Sequence, residues 1–527
     1  MTASLLRRRA PAILGAVLAA ALPAVPARAA APDLDALKQA ALAKVEARRG
    51  LTQQMVDSLY SFAEIGFEET ESSAYLTGIL EREGFAVERG IAGIPTAFVA
   101  SWGSGAPVIA MMADLDGLPG LSQKPGVPKH DPQIEGGPGH GEGHNTGPAL
   151  IVTAALAVKE LMQAHGLPGT LRVYPGVAEE LGASRTYMVQ AGLFKDVDAV
   201  LGVHVSSNFS VSYGQYGVGV VSTQFTFHGR GAHAGVSPWL GRSALDAVEL
   251  MDVGWNFRRE HLPPEQRSHY VIVDGGVQPN IVPSTATVWY YFRESTYDRI
   301  RELHETARRV AQGAAMMTDT TVSEKVIAAH WPRYFNRPMA EAMQANILRV
   351  GMPAWSDADQ RLARAAQREL GVEEVGLATQ TSGLKPPGNS LGGGADDIGE
   401  VCWNVPTIVL RYPANIPDMV MHHWSSGIAS ATPIAHQGTT AGAKAQALMA
   451  LDLLLRPELV QSAKAFFATQ TSKQKWQPLL PPGTTPPLTV NREKMAPYRE
   501  RLKALRYDPT KYRTYLEQLG IPYPPAE

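Results

Sequence analysis

The segment Gly139-His140-Gly141-Glu142-Gly143-His144-Asn145-Thr146-Gly147 sets potential metal ligands among glycines and runs straight into an apolar, alanine-rich stretch, residues 148–162. Glycine has no Cβ and accepts positive φ, so such a segment can fold back and aim successive side chains at one point. The stretch that follows has the length and composition of a helix. By itself the segment admits two readings: a Gly-rich surface loop, or a ligand loop at a helix N-terminus. What separates them is whether further ligand-type side chains fall at strand ends elsewhere in the chain.

Working outward, helical patterns at 34–49, 55–62 and 69–83 precede short apolar runs at 96–102 and 108–113, which read as buried strands. After the helix come a strand at 171–174, a helix at 184–191 and a strand at 199–205. A strand at 407–411 and a helix at 434–455 resume the alternation. This argues for an α/β layer, a mainly parallel sheet flanked by helices. Near Gly217 the pattern changes. Residues 221–227 alternate, 243–258 read as an amphipathic helix, 270–273 and 287–292 as strands, 298–316 as a helix and 321–326 as a strand. That β-α-β-β-α-β order is ferredoxin-like α+β, and α/β sequence on both sides marks it as an insertion. The expected organisation is one α/β domain from 33–216 and 331–475, an inserted ferredoxin-like domain at 217–330, and a C-terminal extension at 476–527. The extension carries Pro478, Pro481, Pro482, Pro486 and Pro487 and reads as irregular chain that wraps the body or is partly mobile.

The 527 residues are 45% hydrophobic and 19% charged, with net charge −2. That balance suits a large globular protein rather than a disordered scaffold, and the lack of a basic surface run argues against nucleic acid as a partner. Arg7-Arg8-Arg9, an apolar run at 13–25 and Ala27-Arg28-Ala29 have the form of a cleavable leader, residues 1–29, so the chain is expected to be exported, periplasmic or secreted. The arginines also permit twin-arginine export. The run is short for a membrane anchor and contains Pro23. No later segment reads as long and apolar enough to span a membrane. Cys402, the single cysteine, excludes an internal disulfide and sits in an apolar context.

Ligands of α/β proteins collect beyond the carboxyl ends of the strands. Here those positions hold Asp114-Leu115-Asp116-Gly117, Glu179-Glu180, His204 and His422-His423. Each has an ordinary explanation: turn or cap aspartates, a solvated acidic pair, a core histidine, a packing corner. Together with Glu142 and His144 they bring carboxylates and imidazoles from five segments to one rim, as a pair of metal ions with shared carboxylates requires.

The chain resembles the dinuclear metal amidohydrolases of the aminoacylase and glutamate-carboxypeptidase type, in their amino-acid-conjugate branch. The motifs that carry the resemblance are Ala113-Asp114-Leu115-Asp116-Gly117-Leu118-Pro119, the opening segment, Ala178-Glu179-Glu180, His204, Gly231-Ala232-His233-Ala234 with Pro238 and Gly241-Arg242-Ser243-Ala244, Pro279-Asn280, Arg293 and His422. They fall in order over roughly residues 51–455. The resemblance implies a catalytic α/β domain with an inserted ferredoxin-like lid that dimerises. It implies two divalent ions per subunit, manganese or zinc, bound by Glu142, His144, Glu180, His204 and His422. It implies Glu179 as general base, Asp116 as an acid that orients a ligand, and His233 as an oxyanion-stabilising group that often reaches the partner subunit's site. Asn280 and Arg293 are implied as holders of a substrate carboxylate. Without it, His233 reads as a loop histidine and Arg293 as a surface ion pair.

Relatives of this branch carry Cys-Gly-His where this chain has Glu142-Gly143-His144. A carboxylate is a harder donor than a thiolate and shifts preference towards manganese without excluding zinc. It is also immune to thiol oxidation. The expected reaction is hydrolysis of the amide of N-acyl or aminobenzoyl amino acids by a metal-activated water. Two other readings stand beside it: an exported dipeptidase or aminopeptidase of the same family, and a non-catalytic binding protein with a degraded metal site.

Overall fold

The computed structural model describes residues 1–2, 33–387 and 394–524. Apart from its first two residues, the leader read at 1–29 lies outside them. Helices α1 (Leu34–Ala47), α2 (Arg49–Phe62) and α3 (Thr70–Arg82) lead into strands β1 (Ala86–Arg89), β2 (Phe98–Ser104) and β3 (Val108–Asp114). Then follow α4 (Thr146–His165), β4 (Gly169–Gly176), α5 (Ser184–Gln190), β5 (Ala199–Ser206), β6 (Ser210–Val211) and β7 (Gly214–Tyr216). The insertion is β8 (Gly219–His228), α6 (Ala244–Arg258), β9 (Arg267–Asp274), β10 (Thr285–Glu294), α7 (Tyr297–Met317) and β11 (Thr321–His330). The chain returns through β12 (Arg333–Phe335), α8 (Arg337–Val350), α9 (Asp357–Glu369), α10 (Ile398–Cys402), β13 (Thr407–Pro413), α11 (Pro433–Leu455) and α12 (Pro457–Lys473).

The larger sheet runs β1-β2-β4-β3-β5-β13-β6. Its centre, β4-β3-β5-β13, is parallel, and the pairs at either edge are antiparallel. β3 and β5 are apolar almost throughout and buried on both faces, as parallel strands between helices must be. Helices α4 and α11 pack together against the sheet. Each fully buried Leu, Ile or Val side chain contributes about 1.5–3 kcal/mol. Helix α4 corrects one sequence expectation: by length and hydropathy it could cross a membrane, yet 78% of its most apolar window is buried inside the protein. It is a core helix.

The inserted sheet is antiparallel, in the order β11-β8-β10-β9. Helices α6 and α7 cover one face over a core that includes Phe225, Phe227, Met251, Trp255, Tyr290 and Phe292. β9 lies at the edge, and its Val271, Ile272 and Val273 are exposed.

The Pro-rich tail packs on the body and is not wholly irregular: beyond the prolines it forms short helices at Arg492–Met495, Arg499–Leu505 and Tyr515–Gln518. Trp476 Nε1 donates to Glu400 Oε1 at 2.8 Å, and Asn491 Nδ2 donates to the Gly66 carbonyl at 3.1 Å. The Tyr515 amide donates to Asp57 Oδ2 at 2.9 Å, and Arg499 pairs with Glu68.

Candidate metal centre and active-site cavity

The glycine loop between β3 and α4 is fixed by contacts that a side chain would block. A Cβ at Gly139 would stand 2.2 Å from the Leu121 carbonyl oxygen. Gly143 has φ +92°, a region that costs an L-residue strain. Asn145 Nδ2 donates to the Val56 and Ser430 carbonyls at 3.0 and 2.7 Å, and Thr146 Oγ1 to the Gly143 carbonyl at 2.7 Å. This path sends Glu142 and His144 into the centre and turns His140 away. The His140 Nε2 lies 3.0 Å from the Leu59 carbonyl oxygen, and burial pushes its pKa down to about 3, so it is a neutral core histidine.

The Glu142 carboxylate is the point of convergence. His422 Nε2 lies 2.8 Å from one of its oxygens, and His204 Nε2 and His144 Nε2 lie 3.2 and 3.4 Å from the other. Burial opposes the charge on Glu142, but the imidazoles of His144, His204 and His422 that face it hold its pKa well below the usual range. Burial likewise opposes the charge on His144, and Glu142 with Glu180 raises it well above its ordinary value. His422 is raised by its hydrogen bond to Glu142. Glu180 joins from the other side, 3.3 Å from His422 Nε2, with burial and then Glu142 raising it to about 8.

Glu179 and Glu180 stand on a single 3₁₀ turn after β4, preceded by Ala178 at φ 51°. Carboxylates support that strained turn from its backbone side. Asp116 accepts the Glu179 amide at 3.0 Å on one oxygen and the Glu180 amide at 3.1 Å on the other. Glu69 accepts the Ala178 amide at 2.7 Å. Asp116 thus orients the two glutamates through their backbone, and it meets His144 through its main-chain carbonyl, 3.0 Å from Nδ1. Burial pushes Asp116 up to about 7 and Glu69 up to about 8. Gly66 packs beneath the turn, where a Cβ would come within 2.9 Å of Ala178 Cα.

Beside this centre lies a buried charge network that the sequence reading did not single out. Arg185, 1% exposed, pairs with Asp114 and with Asp397 at 2.5 Å, and lies 3.5 Å from Asp396. Asp114 is therefore held by an arginine, and one of its oxygens also lies within 4.8 Å of donor nitrogens of His144 and His204. Oxygens of Glu179, Asp396 and Asp397 lie within 4.8 Å of one another. Burial, then Asp396 and Asp114, raise Glu179 well above the usual range. The available signal was Ala395-Asp396-Asp397 after a glycine run, which resembles any acidic turn.

The centre forms one wall of a cavity of about 420 Å³ between the two domains. Tyr291 and Arg293 from β10, His330 from β11, and Arg333 and Arg411 line other walls. Of the two residues expected to hold a substrate carboxylate, Arg293 is in the cavity, and its Nε is buried without a hydrogen-bond partner. Asn280 is not. It is exposed on the inserted domain, where its carbonyl accepts the amide of Ala234, next to His233 on the same loop surface. Neither lines this cavity.

The donor set fits metal ions. His144 Nε2 is buried with no hydrogen-bond partner, aimed at Glu142 and, at 4.0 Å, Glu179. Such a nitrogen is costly unless something bonds it. Glu142, Glu180 and His422 form one group of mutually close donor atoms, and His144, Glu179 and Glu180 a second that shares Glu180. A shared carboxylate between two imidazole-bearing groups suits a dinuclear centre.

Comparison with known proteins places this geometry. Residues 110–423 match peptidase family M20/M25/M40. One of the p-aminobenzoyl-glutamate hydrolase subunits of Escherichia coli (strain K12) is 33% identical over 471 residues, which is 84% of this chain and 97% of that protein. An aminobenzoyl-glutamate utilization protein from Klebsiella pneumoniae shares the fold with a TM-score of 0.52 at 18% identity, covering 80% of this chain and 98% of that one. A dinuclear metal-binding M20 peptidase from Bacillus subtilis does so with a TM-score of 0.50 at 19% identity, covering 77% and 99%. A parallel sheet whose strand ends gather imidazoles and carboxylates, an inserted α+β domain, and a family match across the site lead to one conclusion: the chain belongs to peptidase family M20/M25/M40 and is a hydrolase of amide C–N bonds.

Proposed function

We propose that this chain is an exported, metal-dependent amidohydrolase that cleaves N-acyl or aminobenzoyl amino acids. The observation that carries the reading is the meeting of three imidazole nitrogens on Glu142, in a cavity that also holds Glu179 and the guanidinium of Arg293. The match to a p-aminobenzoyl-glutamate hydrolase over most of the chain supports the substrate class.

Glu142, His144, Glu180, His204 and His422 would hold two divalent ions, manganese or zinc, which when bound supply a water of lowered pKa and polarise the substrate carbonyl. Glu179 takes the proton of the attacking water and delivers it to the leaving amine. Burial, and then the carboxylates of Asp396 and Asp114, raise its proton affinity, which favours that shuttle. Asp116 keeps Glu179 and Glu180 in place through their amides. Arg293 orients the substrate carboxylate, for which its planar fork is suited.

His233 and Asn280 act, in this proposal, across a homodimer formed by the inserted domains. What supports this is the exposure of Val236, Trp239, Leu240 and Ile281 nearby and the outer edge of β9, which no other described strand pairs. Export is proposed on the leader-like residues 1–29.

The test is hydrolysis by purified protein loaded with manganese or with zinc. The panel holds N-acyl amino acids, aminobenzoyl amino acids and free dipeptides. Cleavage of acylated compounds with bound metal is expected. Cleavage of free dipeptides alone would make the chain a dipeptidase, and no tightly bound metal with no turnover would make it a binding protein.

A further inference from the structure

We infer that Arg411 is a second anion-recognition residue and that the preferred substrate carries a second carboxylate in addition to the one at Arg293. The parallel register of β13 with β5 sets Arg411 opposite His204. His204 Nδ1 lies 2.7 Å from Arg411 Nη1 and 2.9 Å from the Val205 carbonyl oxygen. One imidazole nitrogen cannot donate to a carbonyl and also accept from a guanidinium. With His204 Nε2 serving as a ligand, the neutral ring carries its proton on Nδ1, directed at the Val205 carbonyl. Arg411 is then left without an acceptor.

No close ion pair among the described residues takes its charge; Asp396 and Glu142 act on it only from beyond ion-pair distance. Arg411 has no carboxylate within ion-pair distance. Its neighbour on the cavity wall, Arg333, differs: it donates to the Gly394 carbonyl at 2.6 Å, lies 3.5 Å from Asp396 and stacks on the Tyr216 ring at 5.0 Å. Among the described residues Arg293 makes no ion pair: it stacks on the face of Tyr291 at 5.7 Å, its buried Nε has no partner, and Glu179 and Glu180 act on it only from beyond ion-pair distance. Two guanidiniums without carboxylate partners therefore line one cavity, one carried by the inserted domain and one by the catalytic sheet at His204. A substrate with one carboxylate answers one of them and leaves the other desolvated, which is unfavourable. A dicarboxylate answers both.

This rests on the amidohydrolase reading, and the experiment separates the two. Values of kcat/KM are measured for N-benzoyl-glutamate against N-benzoyl-glutamine, and for N-succinyl-alanine against its terminal amide. At least one dicarboxylate should exceed its amide by about 10- to 100-fold, the range for a hydrogen-bonded charge. That ratio should fall towards one in Arg411→Gln, checked for folding by circular dichroism, and should also fall in Arg411→Lys, which keeps the charge but not the fork. Should the glutamine variant not fold, the lysine variant carries the test. A ratio near one for both pairs in the wild type, or an unchanged ratio in the variants, overturns the inference. If no acylated compound is cleaved, the amidohydrolase reading fails, and the same compounds are titrated as ligands by calorimetry. A dicarboxylate preference that Arg411→Gln removes then upholds the role of Arg411, and equal affinities overturn it.

Discussion

His422 Nε2 lies 2.8 Å from Glu142 Oε1 while the His422 backbone sits at φ 53°, a conformation that non-glycine residues adopt at a cost. The loop after β13 thus holds a strained residue in place to bring its imidazole to one carboxylate. Replacing Glu142 by Ala removes the acceptor for three histidines at once. Metal affinity should fall by more than about 100-fold, beyond the usual effect of losing a supporting hydrogen bond, as measured by competition with a chelator. Glu142→Cys should regain binding with a relative gain for zinc over manganese, because thiolate is the softer donor.

Metal loading should release protons. His144 and His422 hold theirs more tightly than a free histidine because Glu142 faces them, although burial opposes the charge on both. Their neutral forms are the ligands, so the apparent affinity should drop as pH falls. Calorimetric titrations in buffers of different ionisation enthalpy count the protons, and zero release near neutral pH would contradict the arrangement.

Glu179→Ala should lower kcat by about 100- to 10,000-fold, the span of general acid–base catalysis, with metal content kept. Retained turnover would remove Glu179 as the base.

In the inserted domain, Glu324 is paired with His304 and, at 2.6 Å, with Arg308. Burial opposes its charge, but these partners lower its pKa from 4.5 to about 2. A depressed acid contributes stability above its unfolded pKa and loses it as pH falls through the folded one. The contribution, at most about 3 kcal/mol for such a shift, is therefore present at about pH 5 and lost on approach to about pH 2. The difference in Tm between wild type and Glu324→Gln should be widest at about pH 5–7 and shrink towards about pH 3.

Lysines at Val271 and Val273 on the free edge strand β9 would set like charges along the proposed dimer seam. Light scattering should show a shift from dimer to monomer. Turnover should fall at least about tenfold, since a charge-stabilising donor supplied across the seam is lost. Wild-type protein that is already monomeric and active would refute the assignment of His233.

Periodicity revealed the alternation of β3, α4, β4, α5 and β5 and the β-α-β-β-α-β insertion, because runs buried on both faces and amphipathic helices leave strong patterns. Glu142, His144, Glu180, His204 and His422 were legible because each follows a strand or a glycine turn, and the structure brings all five together. Arg333, Arg411 and the pairing of Arg185 with Asp114 and Asp397 were not. A lone arginine on a strand carries no periodic signal, and its partner lies far away along the chain. His233 and Asn280 mark a different limit. Their place outside the cavity of their own chain says nothing about the cavity of another copy, since an intermolecular role leaves no mark within one chain.

Asn491, near the end of the chain, holds the carbonyl of Gly66, and Gly66 packs beneath Ala178 of the turn that presents Glu179. The order of synthesis then becomes part of the chemistry. Every residue in the cavity has left the ribosome before the segment that props the catalytic turn from below has been made. A nascent or C-terminally clipped chain would have Glu142, His144, His204 and His422 in place while the base and its neighbour Glu180 stood on a turn that lacks this prop, so maturation of activity should trail acquisition of the fold.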